Sequence, residues 1–194
     1  MEKQKNPELI LGFVGKVAAG KGSAISYLVE EYGFFSSSCS DRIREEILKQ
    51  GKEINRETLQ EVGGILRKQH GPAVLAEKTW QNLLENKVEK AVIDSIRGIE
   101  EVEYLKRIKN FYLIFVDADM KTRFQRTVER GRGDPVTWGE FIKSEERDLT
   151  GDGRNITACI EAADFKIEND GTLGQLYVQL EEILRGIKGH QKNG

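Results

Sequence analysis

The sequence of 194 residues is poor in the residues that build several common kinds of active site. Its two histidines, His70 and His190, are too few for a Ser-His-Asp triad or a histidine-rich metal site. Its two cysteines show no metal-ligand spacing and cannot form a disulfide framework, so we expect a cytoplasmic protein. No apolar run approaches the roughly 18 residues that cross a bilayer, so we expect no membrane insertion. The net charge of −2 argues against a global basic field for nucleic acid.

Apolar runs typical of buried strands alternate with helical patterns along the whole chain. This order predicts an α/β fold in three layers, with a five-stranded parallel sheet and helices on both faces. Strands are predicted at residues 9–14, 34–37, 91–93, 111–116 and 165–167. Helices are predicted at residues 21–32, 41–50, 57–69, 73–86, 99–106, 121–130, 138–149 and 173–187. The length suits a single domain over residues 1–194, and we expect a monomer or homodimer.

A glycine-rich loop, GKVAAGKGS, follows the first strand and opens the first helix. Glycines let a backbone curl closely round a polyphosphate, so that N–H groups and the positive end of the helix point at the anion. The loop therefore predicts an ATP site, and a phosphoryl-transfer enzyme. Lys21 is expected to reach the β and γ phosphates, and the Ser23 hydroxyl to ligate Mg²⁺. The cofactor-binding residues of this loop are predicted to be Gly15, Ala18, Ala19, Gly20, Lys21, Gly22 and Ser23.

This loop departs by one place from the strict GxxxxGK[ST] pattern, because Gly22 separates Lys21 from Ser23. The GKGS form resembles the GKGT loop of adenylate kinases and related nucleoside monophosphate kinases. Val17 and Ala18 stand where that family carries Pro-Gly, and glycine there often adopts backbone angles that alanine disfavours. The resemblance implies a P-loop kinase fold that uses ATP and Mg²⁺ and binds a small nucleotide acceptor.

Two further segments resemble the same kinases. Asp94 ends the third strand, where a carboxylate could hold Mg²⁺, partly through water, and Arg97 follows as in the Asp-Gly-Phe-Pro-Arg segment of adenylate kinases. Asp41 and Arg44 share a helix face and are similar to the family's Ser-Thr-Gly-Asp-x-x-Arg, in which the arginine binds the acceptor phosphate. The resemblance makes Asp41, Arg44 and Arg97 substrate-binding residues, with Arg97 also catalytic. The alternatives are a helix-cap aspartate and an ordinary charged helix surface.

Two stretches fall outside the regular strand and helix alternation. Three predicted helices separate the second and third strands, about twice what one crossover needs, so we interpret residues 40–86 as an inserted, acceptor-binding helical subdomain. Glycine and proline at residues 131–137 lead into a charged helix and predict a short lid over about residues 130–150. In adenylate kinases, arginines here close over the transferring phosphate. The resemblance implies catalytic roles for Arg126, Arg130 and Arg132 and substrate binding by Arg147.

The fifth strand leads into the run ADFKIENDGT and the last helix. This run resembles the loop by which dephospho-coenzyme A kinases hold adenine, largely through backbone groups, and implies nucleotide contacts by Asn169, Gly171 and Thr172. Asn-Asp-Gly-Thr is equally a good turn and helix start. The whole chain also resembles small archaeal-type kinases related to that family.

The best-supported function is therefore a kinase that transfers the ATP γ-phosphoryl group to a nucleoside monophosphate or similar nucleotide. Three alternatives remain: a dephospho-coenzyme A kinase or other small-molecule kinase, a nucleotide-binding switch or assembly ATPase, and a degenerate P-loop with a structural role. The sequence lacks the Asn-Lys-x-Asp motif of guanine recognition, which argues against a GTPase.

Overall fold

A computed structural model describes residues 6–131, 137–149 and 155–192, with the side chains of residues 147–149 and 190–192 excepted. In this part of the chain, five strands form one sheet in the order β2-β3-β1-β4-β5, with every neighbouring pair parallel. The strands are β1 (Leu9–Val14), β2 (Phe35–Ser38), β3 (Lys90–Asp94), β4 (Phe111–Asp117) and β5 (Phe165–Glu168). The predicted parallel sheet is confirmed, and each strand end lies within one residue of its predicted position.

Helices fill the intervals between the strands, and each predicted helix is present. They are α1 (Lys21–Tyr32), α2 (Cys39–Lys49), α3 (Arg56–His70), α4 (Val74–Glu85), α5 (Ile99–Lys106), α6 (Met120–Arg130), α7 (Trp138–Leu149), α8 (Ile156–Glu161) and α9 (Leu173–Lys192). The sequence analysis missed α8, because six residues are too few to show a helical period. Its available signal was the N-cap Asn155, whose side chain accepts a hydrogen bond from the Ala158 N–H at 3.0 Å.

The sheet is buried on both faces, which is why β1 is an unbroken apolar run. Leu11 and Phe13 face one core cluster, which α1 and α9 complete, while Ile10 and Val14 face the other. The second cluster continues through α2, α3 and α4 to α5. Helices α2, α3 and α4 occupy the interval predicted as an insertion between β2 and β3. They pack into the core of the sheet and do not form a separate core.

The parallel arrangement brings the predicted functional segments to one edge of the sheet. The glycine-rich loop at residues 15–23, called the P-loop below, follows β1. Helix α2 follows β2, Asp94 ends β3, and Asn169 follows β5. Because β1 lies in the centre with β3 and β4 on its two sides, the P-loop is flanked by the segments that leave those strands. This edge is where α/β proteins of open-sheet topology bind ligands.

Candidate active site

The P-loop backbone takes the conformations that its glycines permit. Gly20 has φ 107°, and a Cβ there would collide with the side-chain amide of Asn169; at Gly15 a Cβ would collide with the Val116 carbonyl oxygen. Ala18 has φ 59°, the left-handed conformation that alanine disfavours. The loop therefore adopts, at Ala18, the angle that the sequence analysis associates with glycine, at a cost of order 1 kcal/mol.

The side chain of Lys21 forms hydrogen bonds with the backbone of the P-loop. Its Nζ donates to the carbonyl oxygens of Gly15 at 2.7 Å and Lys16 at 3.1 Å. Burial lowers the pKa of Lys21 to about 8; Asp94 opposes this shift, and Arg97, Arg130 and Arg123 add to it. The ammonium therefore loses its proton far more easily than an exposed lysine does.

Two other segments brace the loop. The Asn169 side chain is buried and donates from Nδ2 to the Ala19 carbonyl oxygen at 2.8 Å. Arg126 in turn donates from Nη2 to the Asn169 carbonyl oxygen at 2.8 Å. The β5 loop and α6 thus fix the P-loop through one shared asparagine, whose side chain supports the loop while its backbone carbonyl anchors Arg126.

A cavity of about 1000 Å³ lies over the P-loop. Ten of its lining residues are predicted site residues: Gly15, Ala18, Gly20, Lys21, Gly22, Ser23, Asp94, Arg97, Arg126 and Arg130. The Asp94 Oδ1 atom is buried and has no hydrogen-bond partner among the described residues. A buried carboxylate oxygen in that state fits a metal ion or its water shell, so the residues present are compatible with Mg²⁺.

A second cavity of about 450 Å³ lies next to the first, between α2, α3 and the helix α7. Arg44 lines it and donates from Nη1 to Asp41 Oδ1 and to Ser40 Oγ, both at 2.9 Å. Asp41 itself lines neither cavity, so it acts on this site through Arg44. Arg97 lines both cavities, together with Val17, Ser95 and Glu145.

Arg97 is positioned by residues that the sequence analysis did not select. Glu101 is fully buried and accepts hydrogen bonds from the N–H groups of Arg97 at 2.9 Å and Gly98 at 3.1 Å, while also pairing with Arg67 at 3.2 Å. The Arg97 carbonyl accepts from the Asn155 N–H at 2.8 Å. A glutamate three residues into a helix is a capping-box signal that could have identified Glu101.

The helix α7 is fastened to α6 by a buried ion pair. Arg123 is 2% exposed, and its Nη1 lies 2.7 Å from Oε1 of Glu145, which is 7% exposed. The Arg123 guanidinium also donates to the Ala118 carbonyl at 3.0 Å and lies 5.6 Å from the Phe141 ring centroid. A lone acidic residue in a charged helix gives no sequence signal of such burial, so Glu145 was missed.

Several predicted site residues remain away from the cavities or beyond the described residues. Thr172 donates its N–H to Gln175 Oε1 at 2.8 Å and starts α9, and neither it nor Gly171 lines either cavity. This arrangement is the turn and helix start that the sequence analysis gave as the alternative. Arg132 and the side chain of Arg147 lie outside the described residues.

A family model described as an AAA domain matches residues 14–143, which include the P-loop, Asp94 and α6. The chain is therefore a P-loop protein. The sequence is 31% identical to a UPF0200 protein of Hyperthermus butylicus, over 93% of this chain and 96% of that one. It is 33% identical to the UPF0200 protein of Methanothermobacter thermautotrophicus, over 95% of each chain. The chain belongs to the UPF0200 family.

Solved structures share the fold. Protein TT1252 from Thermus thermophilus superposes with a TM-score of 0.61 at 20% identity, covering 94% of this chain and 98% of its own. A shikimate kinase from Acinetobacter baumannii in complex with shikimate gives 0.56 at 16% identity, over 96% of each chain. A gluconokinase from Sinorhizobium meliloti 1021 gives 0.53 at 12% identity, over 97% of each. The fold is therefore that of the small P-loop kinases.

None of the helices in the described part of the chain combines the length and the hydropathy that a membrane span requires.

Proposed function

We propose that this protein is an ATP-dependent kinase that transfers the γ-phosphoryl group to a small anionic acceptor. One observation carries the proposal: the P-loop cavity and an arginine-lined second cavity adjoin, and Val17, Ser95, Arg97 and Glu145 line both. Phosphoryl transfer requires donor and acceptor to meet in line within a shielded space, which two adjoining cavities provide.

The donor side would work through the P-loop and α6. An ammonium has three N–H donors, and Lys21 spends two on loop carbonyls, which leaves one for a phosphate oxygen. Arg126 and Arg130 lie four residues apart on α6 and line the same cavity, so both can approach one polyphosphate. Their charge would act mainly on the transferring group, where negative charge accumulates.

Asp94 and the Ser23 hydroxyl are the residues that would hold Mg²⁺. When bound, the ion would neutralise charge on the phosphate oxygens. Among the described residues there is no cluster of three or more histidine, cysteine or acidic side chains that could hold a metal. The proposed ion would therefore take its remaining ligands from the nucleotide and from water.

The acceptor side would work through Arg44 and Arg97. The planar fork of a guanidinium suits bidentate binding of phosphate or carboxylate oxygens. A nucleoside monophosphate remains the first predicted acceptor, and dephospho-coenzyme A or another small molecule remains the alternative. A switch or assembly ATPase would need the P-loop cavity alone.

The experiment is a coupled ADP-release assay of the purified chain over nucleoside monophosphates, deoxynucleotides, dephospho-coenzyme A and small anionic alcohols. We expect at least one acceptor to stimulate ADP release in the presence of Mg²⁺. Lys21→Ala should abolish that turnover with an unchanged circular dichroism spectrum, while Lys52→Ala, at an exposed lysine that lines neither cavity, should retain it. Turnover of Lys21→Ala at the native rate would refute the donor site. Hydrolysis that no acceptor stimulates would favour the ATPase switch.

A further inference from the structure

Glu145 presents a polar atom that the structure leaves unused at the junction of the two cavities. Its Oε1 pairs with Arg123 Nη1 at 2.7 Å, but its Oε2 is buried without a hydrogen-bond partner among the described residues. Lys16 Nζ approaches to 3.9 Å, which is beyond hydrogen-bond length. The buried pair with Arg123 therefore accounts for one oxygen, while the other has only the long ion pair with Lys16 and no hydrogen bond.

An unsatisfied buried oxygen of this kind is costly. Leaving such an atom without a hydrogen bond costs free energy, and more when the group is charged, so folded proteins keep few of them. Glu145 lines both cavities, so a bound molecule there can reach it. The unused oxygen thus indicates a hydrogen-bond partner that arrives with the substrate.

The chemistry of a carboxylate limits what that partner can be. A carboxylate oxygen accepts hydrogen bonds and donates none, so the arriving group must carry an O–H or N–H. A phosphate oxygen as the receiving group would instead bring a second negative charge to this carboxylate and, when ionised, would have no proton to donate. A hydroxyl meets no such repulsion.

The second cavity, called the acceptor cavity below, is lined by residues that favour a negatively charged ligand. Four arginines line it, Arg44, Arg56, Arg67 and Arg97, and Glu145 is the single acidic residue among its described lining. Two of these arginines also pair with carboxylates outside the lining, Arg44 with Asp41 and Arg67 with Glu101. Apolar side chains such as Ile43, Leu59 and Phe141 complete the wall. A volume of about 450 Å³ suits a small metabolite.

Building on the proposed kinase function, we infer that the acceptor is a small anionic alcohol whose hydroxyl group, held by Glu145, receives the phosphoryl group. Its carboxylate or phosphate lies toward the arginines. The hydroxyl oxygen forms the new bond to the γ-phosphorus, and the bond from that phosphorus to the β–γ bridging oxygen breaks, leaving its electron pair on ADP. The hydroxyl proton passes to Glu145 Oε2. The product is a phosphate monoester.

The test compares Glu145→Gln with Glu146→Gln, the same substitution one residue along α7. Glutamine keeps an oxygen for Arg123 but replaces the proton-accepting oxygen with an amide. Water is also an O–H donor, so slow ATP hydrolysis reports on Glu145 whichever alcohol is the substrate. We expect Glu145→Gln to lower the hydrolysis rate and the acceptor-dependent kcat about 10² to 10³-fold, with the Kd for ATP within about twofold of wild type. Glu146→Gln should behave as wild type.

Binding of ATP can be followed by the fluorescence of Trp138, on α7, in a Trp80→Phe background, since Trp80 and Trp138 are the two tryptophans of the chain. If Glu145→Gln fails to fold, Glu145→Asp tests the same oxygen, because its carboxylate is one methylene shorter. We expect it to lower kcat and leave the Kd for ATP unchanged. A purely structural Glu145 would instead raise the Kd for ATP, or leave kcat unchanged at saturating ATP, and either result would overturn the inference.

The product separates this inference from the proposed function. Phosphorus-31 NMR of the reaction with anionic alcohols, such as hydroxycarboxylates and alcohol phosphates, should show a phosphate monoester. A phosphoanhydride formed from a nucleoside monophosphate, at a rate that Glu145→Gln retains, would overturn the hydroxyl acceptor while leaving a kinase. If neither acceptor class stimulates ADP release, the kinase function itself fails and this inference fails with it.

Discussion

Lys21 shows how burial tunes a single side chain of the P-loop. In the proposed ATP site the charged ammonium would bind phosphate, yet burial, with a smaller contribution from neighbouring arginines, lowers the pKa of Lys21 to about 8. The carbonyl oxygens of Gly15 and Lys16 accept its hydrogen bonds and orient it within the loop. A phosphate brought to this position adds negative charge, which favours the protonated form.

The affinity for ATP should therefore depend on pH in a defined direction. Below about pH 8 Lys21 is protonated and binds phosphate; above it the free protein must take up a proton to bind, so the Kd should rise between about pH 8 and pH 9.5. Fluorescence titration with ATP over that range measures the effect. In Lys21→Arg, which stays charged, any remaining binding should lose this dependence. An equal rise of the Kd in Lys21→Arg would assign the pH dependence to another group.

The helix α7 depends on one buried ion pair and one aromatic cluster for its position. Phe124 on α6 lies 5.2 Å from Trp138 and 5.5 Å from Phe141, between ring centroids. Arg123 and Glu145 add the buried charged contact beneath this cluster. Since Arg123 Nη1 also lies 3.4 Å from the Val17 carbonyl, the pair links α7 to the P-loop.

Removing one partner of this pair should destabilise the protein strongly. Arg123→Met leaves Glu145 buried without its counter-charge, and breaking a buried pair in this way costs about 3 to 5 kcal/mol. Urea unfolding of the full chain measures the loss. The double variant Arg123→Met with Glu145→Gln removes both charges and should recover part of it. A double variant that loses as much as the sum of the single variants would show that the two residues are not coupled.

At the level of the whole molecule, the proposed kinase would use separate arginines in two adjoining cavities, the first for the donor and the second for the acceptor. Arg44 lines only the acceptor cavity and Arg130 only the donor cavity. This division makes their substitutions distinguishable by steady-state kinetics, because one affects the binding of the acceptor and the other the transition state.

Arg44→Ala should raise the KM of the acceptor about tenfold or more, the loss of one charge-assisted hydrogen bond, with a smaller effect on the KM of ATP. Arg130→Ala should lower kcat with every acceptor. Arg42→Ala is the matched control, because Arg42 lies on the same helix as Arg44, pairs with Glu45 at 2.8 Å and lines neither cavity. An unchanged acceptor KM in Arg44→Ala would remove Arg44 from the acceptor site.

The parallel sheet, the intervals occupied by helices and the P-loop could all be predicted from local sequence patterns. Apolar runs, helical periodicity and glycine-rich turns depend on residues close together in the chain, so they can be recognised from the sequence before the fold is known. The short helix α8 escaped because six residues carry little period. The resemblance to nucleoside monophosphate kinases implied one acceptor site for Arg44 and Arg97, and both residues line the second cavity.

The contacts that support the P-loop and the identity of the buried charged residues could be learned from the folded structure alone. Asn169 supports Ala19 across 150 residues, and Arg123 approaches Val17 across 106. Glu145 has the same local sequence character as its neighbour Glu146, yet it is buried between two cavities. Burial and partner choice depend on which distant segments pack together. Short-range patterns carry no information on those contacts.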